Sequence, residues 1–133
     1  MQFLVNLDVD DLEKAIRFYS AAFDLRVGRR FDFGVEMLGG PTAIYLLDKC
    51  ADTSVSSLTS QHRNYTRHWT PLHLDFVVDD IEAAVRKALD AGAKLEQEIS
   101  TDVWGKLALM ADPFGHGFCF VQFLGNGYDE IAL

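Results

Sequence analysis

The chain has 133 residues, of which 49% are apolar and 24% charged, the balance of an ordinary globular protein with one compact domain or two small modules. Its formal net charge of −8 argues against nucleic-acid backbones and anionic membranes as partners, because both would repel it. No apolar run approaches the ~20 residues of a membrane span, the start MQFLVNLDV carries no basic leader, and Cys50 and Cys119 are too few for a disulfide framework. A cytoplasmic chain with reduced thiols is expected.

Residues 2–9 alternate Phe3, Val5, Leu7 and Val9 with Gln2, Leu4, Asn6 and Asp8, the period-two pattern of a strand. Asp10 stands three residues before Glu13, which predicts a capping-box helix start. Leu12, Ala15, Ile16, Tyr19 and Phe23 then form one helical stripe that ends at Asp24. Short strands are predicted over 25–31, 34–38 and 42–47. The polar, Ser- and Thr-rich stretch 51–71 reads as a surface linker or lid, and it carries His62, Arg63, Arg67 and His68.

The chain then repeats itself. VDDLEKAIRFY (Val9 to Tyr19) returns as VDDIEAAVRKA (Val78 to Ala88), preceded by a second alternating stretch in which Leu72, Leu74, Phe76 and Val78 flank His73, Asp75 and Val77. Asp79 and Glu82 repeat the cap; Ile81, Ala84, Val85, Ala88 and Leu89 repeat the stripe; Gly92 occupies the left-handed position past the helix end. Strands follow over 94–100, 106–111 and 117–124. Phe33-Gly34 answers to Trp104-Gly105, and Gly40-Pro41 to Asp112-Pro113. Asp112-Pro113-Phe114-Gly115 has tight-turn chemistry, and His116 is assigned to that turn. The expected organisation is a first module over 1–50, the linker or lid 51–71, a second module over 72–124 and a C-terminal tail over 125–133. Neither module of about 50 residues buries much surface alone.

Three pieces, VDDLEKAIRFYSAAFDL, HLDFVVDDIEAAVRKALDAGA and WGKLALMADPFGHGF, resemble the vicinal oxygen chelate superfamily, which includes glyoxalase I, bleomycin-resistance proteins, fosfomycin-resistance enzymes and extradiol dioxygenases. The resemblance implies an α+β fold of two βαβββ modules forming a cup-shaped mixed sheet, helices on the outer face, a ligand in the cup and a homodimer. In the metal-using branches four inward strand positions carry His, Gln or Glu. Matching the motifs places those positions at Leu4, Tyr45, His73 and Cys119. Leu4 has no donor, Tyr45 is a poor ligand because a phenol titrates near pH 10, and Cys119 ligates only as thiolate. His73 alone is a good ligand. One such group does not hold a divalent ion, so no metal and no other cofactor is expected.

The candidate ligand-binding set is Asn6, Asp8, Tyr45, Trp69, His73, Asp75, Trp104, Cys119 and Phe123. Flat aromatic walls with a few polar groups suit a planar organic molecule, and the carboxylates favour a cationic one. The leading expectation is a metal-independent binding protein of the bleomycin-resistance type, sequestering a small organic ligand. The alternative is a divalent-metal-dependent glyoxalase- or dioxygenase-like enzyme, with His73 helped by Asn6, Asp8 and Asp75 on the same side. A third reading is a fold-level relative with a regulatory or interaction role, its cup filled by side chains and His73 merely hydrogen-bonded to Asp75, Asn6 or the backbone. No nucleotide loop, GxSxG or Cys-His nucleophile spacing occurs.

Overall fold

The computed structural model describes every residue, Met1–Leu133, and divides into two compact units, Met1–Thr66 and Arg67–Leu133. The first contains β1 (Val5–Val9), α1 (Leu12–Phe23), β2 (Arg26–Phe31), β3 (Gly34–Leu38) and β4 (Ile44–Asp48). Its sheet runs β1-β4-β3-β2, with β1 parallel to β4 and the other pairs antiparallel. The second contains β5 (Leu74–Val77), α2 (Ile81–Ala91), β6 (Lys94–Leu95), β7 (Ser100–Asp102), β8 (Gly105–Ala111) and β9 (Gly117–Phe123). Its order is β5-β9-β8-β6, with β7 also on β8 and β5 parallel to β9. Each unit is therefore an α+β βαβββ module built on a mixed sheet, and the duplication in the sequence is a duplication of topology.

Each sheet has one apolar face, and its helix covers it. In the first unit α1 buries Ala15, Ile16, Phe18, Tyr19 and Ala22 while the sheet buries Val35, Met37, Ile44 and Leu46. In the second, Ile81, Val85 and Ala88 of α2 share the core with Ala108, Met110, Phe118 and Phe120. A fully buried side chain such as Phe120 or Met110 contributes on the order of 1.5–3 kcal/mol. The alternate residues of the same strands point to the other face, and these carry the candidate site.

The repeated aromatic-glycine pair has a steric cause. A Cβ on Gly34 would stand 2.2 Å from the Leu46 carbonyl oxygen, and one on Gly105 2.5 Å from that of Gln122. Each glycine opens the antiparallel strand (β3 or β8) that lies against the module's last strand, and only hydrogen fits there.

Several local expectations are corrected. The helix N-caps are Asp11 and Asp80, not Asp10 and Asp79: their carboxylates accept from Lys14 N and Ala83 N at 2.9 Å. Lys14 therefore occupies the position a capping-box glutamate would need. The first strand begins at Val5 because its parallel partner begins at Ile44; before that, the Phe3 carbonyl accepts from the Thr42 hydroxyl at 2.9 Å. The strand expected over 94–100 is broken into β6 and β7, both paired with β8. Helix ends match the reading: Asp24 and Gly92 are left-handed caps, with φ of 56° and 111°.

The linker has internal order. Ser54 and His62 form a β-bridge, Asp52 N donates to the Arg63 carbonyl and Arg63 N to that of Thr53, each at 2.9 Å. Tyr65 Oη donates to the Lys49 carbonyl at 2.6 Å. At the far end of the second unit, a 3₁₀ turn over Gly127–Glu130 brings Tyr128 against Trp104 and Phe123.

Candidate functional site

In the second unit the helix-free face of β5 and β9 gathers three polar side chains. The parallel register pairs Asp75 with Cys119, and His73 lies two residues before Asp75 on the same side of the strand. His73 Nε2 is 3.2 Å from Asp75 Oδ1. One donor atom each from His73, Asp75 and Cys119 lie within 4.8 Å of one another. Burial, and then the negative charge and hydrogen bond of Asp75, push the Cys119 thiol up to about 12. It is a neutral thiol beside a carboxylate at physiological pH.

The linker supplies two walls of the recess around this trio. Trp69, 80% exposed, and Arg67 line it together with His73, Glu96, Leu109 and Cys119. Arg67 is held by two bonds to Glu96, Nε–Oε1 at 2.7 Å and Nη2–Oε2 at 3.2 Å, and it also donates to the His68 carbonyl. Its guanidinium lies over the start of β9, where a Cβ on Gly117 would meet Nη2 at 2.5 Å. The recess measures about 140 Å³, close to the ~150 Å³ of a cavity that takes one benzene ring.

The first unit is organised differently. Tyr45 on β4 stands opposite Asn6 on β1 and Glu36 on β3. Glu36 is only 6% exposed, and its carboxylate is saturated. Oε2 accepts from Arg29 N at 3.1 Å and Arg29 Nε at 3.0 Å, while Oε1 accepts from Arg29 Nη2 at 2.6 Å and Tyr45 Oη at 3.0 Å. Arg29 Nη2 also donates to Tyr45 Oη at 3.1 Å. Hydrogen bonds from Arg29 lower the Glu36 carboxyl to about 2, and the same contacts raise the guanidinium further. A two-to-one bulge makes this geometry: Val27 pairs with Met37 and Arg30 with Val35, leaving Gly28 and Arg29 opposite Glu36 alone. A Cβ on Gly28 would meet Glu36 Oε2 at 2.6 Å, so the carboxylate fills the space a side chain would take.

The other expected site residues have surroundings of their own within their units. Asp8 is tied by Arg63 Nε to its Oδ2 at 2.7 Å. Asn6 is exposed on β1. Trp104 and Phe123 pack on each other and on Tyr128, outside the residues lining the His73 recess. Phe123 is four residues beyond Cys119 on β9, roughly 13 Å along a strand. Among residues not singled out from sequence, Arg29, Glu36 and Glu96 matter most. The only early signal was Glu36 itself, a charge inside the apolar strand GVEML.

Two of the four positions used by metal-binding superfamily members offer no free donor. Leu4 has no donor atom and the Tyr45 hydroxyl is committed to Arg29 and Glu36, whereas His73 and Cys119 stand with Asp75 as three donor atoms within 4.8 Å of one another.

Two βαβββ modules with polar groups on their helix-free faces define a class, and comparison with known proteins agrees. Residues 4–121 match the family of the glyoxalase-like domain. The chain belongs to this family, within the vicinal oxygen chelate superfamily. It is 30% identical over 125 residues to an uncharacterised protein of Mycobacterium bovis, covering 88% of this chain and 80% of that one. It is 31% identical over 128 residues to the anthracycline biosynthesis protein DnrV of Streptomyces peucetius, covering 96% of this chain and 43% of that one. A glyoxalase/bleomycin resistance protein/dioxygenase family enzyme from Burkholderia phytofirmans shares the fold, with a TM-score of 0.72 at 18% identity, over 91% of this chain and 97% of that one. No helix is long and apolar enough to cross a membrane.

Proposed function

We propose that the protein binds a small organic molecule without a catalytic metal, holding a planar group of the ligand in the recess beside Trp69. The observation that carries this reading is the His73–Asp75–Cys119 trio. Its thiol stays protonated and hydrogen-bonded to Asp75, so the three side chains offer a hydrogen-bonding patch at the foot of an exposed indole. Asp75 accepts and His73 either donates or accepts, according to its tautomer; an aromatic cation or amine satisfies both the carboxylate and the indole face. The small recess volume points to one ring-sized group rather than a whole drug-sized molecule. A relative that takes part in anthracycline biosynthesis supports an organic ligand. Sequestration then requires only burial and orientation.

A divalent-metal-dependent enzyme of the glyoxalase or dioxygenase kind is the second reading, and it is favoured by the same trio, because three donor atoms within 4.8 Å are close enough for one small ion.

One titration decides between them. In a Trp104→Phe background Trp69 is the single tryptophan. Benzamidinium is expected to quench it saturably, and His73→Ala to weaken that binding about tenfold or more, the worth of one hydrogen bond to a charged group. Zinc, nickel and manganese, added separately, are expected to leave Trp69 and the melting temperature unchanged. Tight metal binding at about one equivalent per chain, abolished by His73→Ala, would establish the enzyme reading instead. The homodimer implied by the superfamily belongs to the same proposal; light scattering that reads the mass of a single chain removes it.

A further inference from the structure

The first unit carries its own recess, and it is larger: about 480 Å³, floored by Arg29, Glu36 and Tyr45 and walled by Phe3, Leu4 and Pro41 among others. That volume falls within the ordinary range for small-ligand sites. Phe3 and Leu4 are 68% and 53% exposed, so apolar surface faces water beside a fixed charge.

Which charge the recess presents follows from counting hydrogen bonds. Glu36 accepts four, two on each oxygen, and has no lone pair in reach for a cation. Tyr45 Oη donates to Glu36 and accepts from Arg29, so it is also committed. Arg29 is not. Nε and Nη2 bond to Glu36 and Tyr45, whereas Nη1 makes no hydrogen bond within the protein. A guanidinium clamped on one side by a buried carboxylate has lost its rotational freedom already, so a ligand oxygen meeting its remaining donors pays little further ordering cost.

We propose that this recess binds a small amphiphilic carboxylate, its anionic oxygen accepting from Nη1 of Arg29 and its apolar body lying against Phe3, Leu4 and Pro41. Glu36 acts as a positioning residue: it fixes Arg29 and, being saturated, does not compete for it. The net charge of −8 opposes any anion at long range, so the preference has to come from the local contact with Arg29. No residue of the second unit takes part, so this inference and the preceding one fail independently.

The test uses three ligands of one shape, hexanoate, hexan-1-ol and hexylammonium, titrated into the full chain and followed by amide shifts. Hexanoate is expected to perturb Leu38, Gly40 and Tyr45 saturably and to bind about tenfold tighter than hexan-1-ol, the worth of one charge-assisted hydrogen bond. Hexylammonium is expected to bind no better than the alcohol. Arg29→Gln should reduce hexanoate to the alcohol's affinity. Should that variant unfold because it strands Glu36, the double variant Arg29→Met/Glu36→Met removes both charges together and should show the same loss of preference. Equal binding of hexanoate and hexan-1-ol by the native chain overturns the proposal. So does a hexanoate preference that survives in the double variant, or shifts confined to the second unit.

Discussion

At the scale of single residues, the two modules have placed their polar groups on different strands. The first invests in Glu36, a carboxylate with four donors around it; the second in Cys119, a thiol with a carboxylate beside it. Both have testable titrations. Glu36 falls from its ordinary 4.5 to about 2 in the folded chain. Its contribution to stability is therefore complete above pH 4.5 and is lost as pH falls toward 2. Denaturant unfolding between those limits is expected to show a pH slope that Glu36→Gln flattens; an unchanged slope would mean that the Arg29 contact contributes nothing to folding. Cys119, raised to about 12, is expected to resist a disulfide reagent at pH 8 while exposed Cys50 reacts, giving one labelled thiol per native chain and two after denaturation. Cys50→Ser should then leave no fast-reacting thiol.

At the scale of elements, the helix starts give the sharpest comparison between sequence and structure. A doublet, Asp10-Asp11 or Asp79-Asp80, offers two candidate caps, and the spacing to Glu13 or Glu82 favours the first of each. The chain uses the second, because its carboxylate reaches the amide three residues on. Asp11→Ala and Asp80→Ala are expected to cost about 0.5–2 kcal/mol each in urea unfolding, and Asp10→Ala and Asp79→Ala about 0.5 kcal/mol or less. A reversed order would return the cap to the first aspartate. Strands and helices were otherwise legible, since period-two and helical spacing follow from one face of each element being apolar. The break between β6 and β7 was not, because no glycine or proline marks it. Nor was the Arg29–Glu36–Tyr45 cluster: it depends on a bulge in β2, which shifts one strand against its neighbour without any sign in local hydropathy. The linker arginines were legible as charges but not as contacts, since Asp8 and Glu96 lie 55 and 29 residues away in the chain.

At the scale of the whole molecule, the repeat predicted the duplicated βαβββ topology because it spans backbone-determined positions: caps, stripes and the glycines opening β3 and β8. Ligand chemistry was far less legible, since the helix-free faces share almost nothing between modules. Each unit has its own helix-on-sheet core, so native-state hydrogen exchange is expected to show two protected groups, centred on β3–β4 and on β8–β9. Between them the linker should exchange at least about 100-fold faster, apart from weak protection at Val55, whose bond to the Gln61 carbonyl is 3.4 Å, and stronger protection at Asp52 and Arg63, whose backbone bonds are 2.9 Å. Uniformly fast exchange at those two positions would show that the bridge between Ser54 and His62 does not persist in solution.

The guanidinium of Arg67 resting over Gly117 ties the history of two distant positions together. A descendant that acquires a side chain at 117 must swing the arginine aside, at the expense of its two bonds to Glu96; one that first replaces the arginine frees 117 but strips a wall from the pocket. Natural variation should therefore change the two in step, arginine travelling with glycine.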